Sequence, residues 1–118
     1  MRVPDHPTLI HRMLQARLRR LAPSQPLVAG CLGTVWRRCG NPGCRCYHGG
    51  PKHRAHQLTF YERGRSRSVY VPQDLVPQVQ AWLLEHRRLK NLLQEIHQLS
   101  VALIRTHVRQ RRRQQGRP

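Results

Sequence analysis

Three cysteines and a histidine fall within the fifteen residues from Cys39 to His53: Cys39-Gly-Asn-Pro-Gly-Cys44-Arg-Cys46, then six residues, then His53. Soft sulfur and borderline nitrogen donors this close together suit one tetrahedral zinc ion, Zn2+. The rest of the chain makes such a staple useful. Aromatics are 5% of its 118 residues, and a small domain short of large apolar side chains depends on local cross-links. Asn41-Pro42-Gly43 is a tight-turn sequence that brings the flanking thiols to one point and aims backbone N–H groups at sulfur. Cys44 and Cys46, two residues apart, are badly spaced for a disulfide with each other and well spaced to share an ion. His53 is the favoured fourth donor, with His48, His56 and Cys31 as alternatives. A closed four-ligand shell leaves no open position for water, so the expected role is structural.

The second constraint is charge. The chain carries 22 Lys and Arg against 5 Asp and Glu, a net charge of +17. No acid occurs between His6 and Tyr61 or after Glu95, and only Lys52 and Lys90 among the basic residues are lysines. Such a field seeks a polyanion, and nucleic acid is the commonest. Arginine adds a planar fork that matches phosphate and base edges. The bland alternative is a GC-rich genome, which would explain a large share of the Arg-over-Lys ratio but less of the missing acids, since GC-rich codons also encode Asp and Glu. Arg37, Arg38, Arg45 and Arg54, with Lys52, flank the cysteine loop, and Arg63, Arg65 and Arg67 crowd a hairpin. If loop and hairpin fold together, these form one basic face, with Trp36, Tyr47, Tyr61 and Tyr70 as candidate stacking groups; Trp36 and Tyr70 are expected to pack in the core more often than to stack. Arg109, Arg111, Arg112 and Arg113 form a second cluster that can grip phosphate as an ordered arm.

Hydrophobic spacing gives the elements. Leu9, Ile10, Met13, Leu14, Leu18 and Leu21 recur at three- and four-residue steps, predicting a helix over 7–21 that Pro23 and Pro26 terminate. Strands are predicted at 28–38, 56–62 and 66–71, with Arg63-Gly64-Arg65 turning between the last two. Asp74 is the expected N-cap of a long helix from about Leu75 to Val108. Its apolar pattern is Val79, Trp82, Leu83, Leu89, Leu92, Leu93, Ile96, Leu99, Leu103 and Ile104, of which Trp82, Leu89, Leu93, Ile96 and Leu103 trace a heptad-like line interrupted by His86, Ser100 and His107. The predicted fold is α+β: a small zinc-stapled sheet of about three antiparallel strands, flanked by an N-terminal helix and a long C-terminal helix. The predicted segments are a helix and linker at 1–26, the Cys/His β module at 27–74, the long helix at 75–108 and an Arg-rich, fraying tail at 109–118.

The run Arg37-Arg38-Cys39-Gly40-Asn41-Pro42-Gly43-Cys44-Arg45-Cys46, with Tyr70-Val71-Pro72 and the helix after it, resembles a family of small bacterial and phage proteins of unassigned function. Their pattern is R-R-C-G-K-P-G-C-R-C, a short spacer, H-G-P-Y and a strand, then Y-V-P and a long helix. The resemblance covers about residues 33–104. This chain departs from it at Arg54 and Ala55, where the family has Gly and Pro. It implies that the family's Cys and His positions fall on Cys39, Cys44, Cys46 and His53. It also implies a setting beside mobile genetic elements, and so contact with nucleic acid.

The expected function is therefore that of a zinc-containing nucleic-acid-binding protein (DNA or RNA), an accessory or regulatory factor of a mobile element. The alternative is a protein–protein adaptor that uses the long helix, as a homodimer or on a helical partner. An enzyme is not expected: the five carboxylates form no pair, and there is neither a Gly-rich phosphate loop nor a nucleophile–base arrangement. No membrane partner is expected, since no stretch approaches the ~20 apolar residues of a span. Arginines interrupt any apolar region at the start, so no secretion signal is read there, and clustered thiols suit a reducing, cytoplasmic setting.

Overall fold

The structure, a computed structural model, describes residues 1–116. Arg117 and Pro118, the end of the expected tail, lie outside the described residues. The elements are α1 (Pro7–Arg19), β1 (Cys31–Arg37), β2 (His53–Glu62), β3 (Arg65–Val71) and α2 (Val76–Gln114), which is the expected α+β order. They divide into two compact units, and the boundary falls within α2. One unit holds Met1–Ser24 with the chain from Arg87 on, and the other holds Gln25–His86.

The first unit is an antiparallel helical hairpin. Helix α1 begins where the His6 side chain accepts a hydrogen bond from the Thr8 N–H at 3.2 Å and Pro7 takes the first helical position. It ends at Arg19, two residues short of the predicted Leu21. Ile10 and Leu14 of α1 pack on Leu99 of α2, with Met13, Ile96, Ala102 and Leu103 around them. Along the part of α2 in this unit the buried positions recur every seven residues, at Leu92, Leu99 and Thr106, exposed by 3%, 0% and 4%. The Thr106 hydroxyl donates to the Leu103 carbonyl at 3.0 Å, so it enters the core satisfied. Polar contacts fix the direction of the pair. Arg88 donates to the carbonyls of Arg20 and Ala22, Arg17 bonds Glu95 at 2.7 Å, and Arg109 lies 3.8 Å from Asp5. Two expectations are corrected here. Leu93, placed on the apolar line, is 56% exposed, and its neighbour Leu92 faces the core instead. The run Arg109–Arg113, expected beyond the end of the helix, lies within α2, which continues to Gln114.

The second unit is a three-stranded antiparallel sheet in the order β1-β2-β3, with the start of α2 on one face. Strands β2 and β3 join through a two-residue turn, Arg63-Gly64, both at positive φ (51° and 77°), which suits the right-handed twist of a hairpin. Side chains alternate between faces. Leu58 and Val71 on one face pack on Val79 of α2, with Leu32, Phe60, Trp82 and Leu83 completing the cluster. Residues 28–30, predicted as the start of the first strand, lie outside it; the Val28 N–H donates to the Trp82 carbonyl at 3.3 Å and straps that segment to the helix. Asp74 does not cap α2. It sits inside a 3-10 turn, Gln73–Leu75, that precedes the helix. Among the described residues, no helix is long and apolar enough to cross a membrane.

Candidate metal centre

The chain between β1 and β2 is built almost entirely from turns. The Cys44 N–H donates to the Asn41 carbonyl at 3.0 Å, and the Asn41 side-chain oxygen accepts from the Gly43 N–H at 3.0 Å. Pro42 and Gly43 sit at the centre of this turn, as their backbone preferences favour. A 3-10 turn, Arg45–Tyr47, follows, and Gly50 closes back on it through an N–H to the Arg45 carbonyl at 2.8 Å. A side chain at Gly50 has no room, because a Cβ there would lie 2.7 Å from the Arg45 oxygen. Strand β2 begins at His53, three residues earlier than predicted, so that histidine projects from a strand rather than a loop.

These turns bring Cys39, Cys44, Cys46 and His53 together, with one donor atom from each lying within 4.8 Å of all the others. Cys39 Sγ and Cys46 Sγ are 3.6 Å apart, and Cys44 Sγ is 3.1 Å from His53 Nε2. A tetrahedron with Zn–S bonds of about 2.3 Å has edges of roughly 3.8 Å, and S–N edges are a little shorter. The group is thus close to the size of a filled zinc shell, and it could hold a metal ion. Its surroundings also fit. The Cys39 N–H donates to Cys46 Sγ at 3.4 Å, and the Tyr47 hydroxyl donates to the Cys39 carbonyl at 2.6 Å. Such outer contacts orient ligands and spread the charge of thiolates. Cys44 is lowered from the ordinary thiol value of 9.0 to about 6, first by the Cys46 N–H, then by His53 and Cys39. Burial pushes Cys46 the other way.

The three rival donors lie outside the group. Cys31 is exposed at the far end of β1. His56 bonds Gln73 Oε1 at 2.8 Å through its Nε2. His48 is exposed in the turn after Arg45–Tyr47.

The basic residues fall at three places in the fold. Arg37, Arg38, Arg45 and Arg54 lie at the metal end of the sheet, and the Arg38 guanidinium sits 5.6 Å from the centre of the Tyr47 ring. Arg63, Arg65 and Arg67 lie toward the hairpin, about 24 to 30 Å from His53 along β2 at ~3.4 Å per residue. Arg109, Arg111, Arg112 and Arg113 belong to the helical unit. Trp36 and Tyr70, expected to pack, are 64% and 59% exposed. Sequence reasoning missed the Tyr47 contact and the need for glycine at Gly50; neither has a signature apart from the folded turn.

A family described as a domain of unknown function (DUF6788) matches residues 10–81. The chain belongs to this family. The matched span contains the four donors, the whole sheet and most of α1. No curated protein and no solved structure matches the chain.

Proposed function

We propose that this is a zinc-stapled nucleic-acid-binding protein in which Cys39, Cys44, Cys46 and His53 hold one structural zinc ion. The observation that carries the reading is the convergence of three sulfurs and one imidazole within 4.8 Å, with Arg37, Arg38, Arg45 and Arg54 next to these donors in the sequence. Three sulfurs and a nitrogen favour zinc over hard cations, and four protein donors leave no position for a substrate or attacking water. The metal therefore shapes the loop and the loop carries the cations; the role is non-enzymatic. Service to a mobile element, as an accessory or regulatory factor, is the setting that the family resemblance implies. The test is metal analysis of the purified full chain, followed by titration with labelled oligonucleotides over a range of salt. One zinc per chain and binding whose log–log salt slope is about −0.9 per phosphate contacted on duplex, or about −0.7 on single strands, support the proposal. A metal-free protein, or one indifferent to nucleic acid at low salt, overturns it.

One observation favours the adaptor reading. Leu93, Ile104 and Val108 are 56%, 64% and 40% exposed along one side of α2. A sedimentation coefficient that rises with concentration at high salt, where charge repulsion is screened, supports self-association through that side.

A further inference from the structure

The two faces of the sheet are unequal. Leu58 and Val71 lie under α2 on one. The other carries Arg37, His53, Gln57, Thr59, Tyr61 and Tyr70, placed there by strand alternation and by the pairings Arg37 with His53, Gln57 with Tyr70 and Thr59 with Ser68. The Thr59 and Ser68 hydroxyls meet across this face at 3.4 Å, in keeping with that register. Tyr61 is 83% exposed and Tyr70 59% exposed, so two large rings stand in water with little to pack against. His53 shares the face, so the metal loop rises from the same side as the tyrosines. None of the sheet residues on this side is acidic.

We infer that this open face is a stacking platform for single-stranded nucleic acid, with Tyr61 and Tyr70 each receiving an unpaired base. The inference rests on the nucleic-acid reading above and names the strand state of the ligand. Charge selects the class: an acid-free surface with Arg37 at one end and Arg63 at the hairpin turn matches a chain of phosphates. Geometry selects the strand state. Tyr61 lies four residues along β2 from Gln57, the partner of Tyr70, so the two Cα atoms are about 14 Å apart. That is roughly four times the ~3.4 Å rise between stacked bases. Bases inside a duplex present no free face, whereas a strand with splayed bases reaches both rings. The hydroxyls of Thr59 and Ser68 lie between the two positions and Gln57 lies beside Tyr70, where these groups can bond base edges or sugars. Stacking tolerates any base, so the platform binds with little sequence preference.

The test uses the zinc-loaded full chain and fluorescence anisotropy with three probes: oligo-dT and oligo-U of roughly 15 nucleotides, near the upper site size for such surfaces, and a duplex of equal length. The variants are Tyr61→Ala, Tyr70→Ala and the two Phe replacements. Both rings are exposed, so zinc content and thermal midpoint stay as in the parent. The expected result is tighter binding of one or both single strands than of duplex, a loss of about 5- to 100-fold on single strands for each Ala variant, retention by each Phe variant, and unchanged duplex affinity. Ala variants that bind single strands as the parent does, or that lose duplex and single strand equally, overturn the platform and leave the nucleic-acid reading standing. A parent protein that binds none of the probes overturns that reading, and the platform with it.

Discussion

Removing the metal should dissolve the loop and spare the helical hairpin. Residues 38–52 contain one three-residue 3-10 turn and a single buried side chain, Cys46 at 3% exposure. Ordering these fifteen residues costs about 15 kcal/mol even at ~1 kcal/mol each for the backbone. Burying one small thiol offsets no more than about 1–2 kcal/mol of that. A structural zinc ion contributes about 10–16 kcal/mol in small peptides, which is the size required. The helical unit draws on none of this, because its core is Ile10, Leu14 and Leu99. Hydrogen exchange read by mass spectrometry, with and without a strong chelator, separates the two units. Peptides from residues 38–53 should lose protection on chelation, and those from α1 and from Leu92 to Thr106 should keep it. Because both helices remain, the far-ultraviolet circular dichroism should change little. Equal protection of the loop with and without chelator would refute the reasoning, since the loop's own hydrogen bonds and one buried thiol are too weak to hold those residues in place.

Three further outcomes are expected. Gly50→Ala forces a methyl against the Arg45 carbonyl and Cβ, at 2.7 and 2.8 Å; overpacking of about 1–3 kcal/mol should lower zinc affinity tenfold or more in competition with a chromophoric chelator. Leu99→Ala empties a position at 0% exposure and should cost about 2–5 kcal/mol, seen as a lower thermal midpoint of the helical signal with zinc stoichiometry unchanged. Acidification should release the metal. Cys44, depressed from 9.0 to about 6, supports the folded loop fully above pH 9 and withdraws that support as pH falls through about 6. A metal indicator should therefore report release as the pH is lowered below about 6, since protons compete for the other donors as well.

The cysteine donors were legible because turn chemistry is local. Asn41-Pro42-Gly43 dictates a reversal whatever surrounds it, and the reversal sets Cys39 beside Cys44 and Cys46. The fourth donor was legible only as a favoured candidate, because spacing alone leaves His48, His56 and Cys31 in contention with His53. The choice depends on β2 starting at His53, opposite Arg37, and on Gln73 engaging His56. The aromatic residues misled for a similar reason. Trp36 and Tyr70 have core-like side chains, but Tyr70 falls on the face that α2 does not cover, and Trp36, on the same face as Leu32 and Leu58, lies outside the cluster beneath α2.

By itself the sequence determined the class of fold, the order of its elements, the cysteine turn and the excess of positive charge, because propensity, periodicity and composition act over a few neighbouring residues. Tertiary structure alone decided which of Leu92 and Leu93 turns inward, that the Arg109–Arg113 run stays helical, and that the loop and hairpin arginines stand at opposite ends of β2. It also decided that Tyr61 and Tyr70 share an open face with His53. These outcomes depend on strand register and helix rotation, and both are set by which surfaces meet at long range.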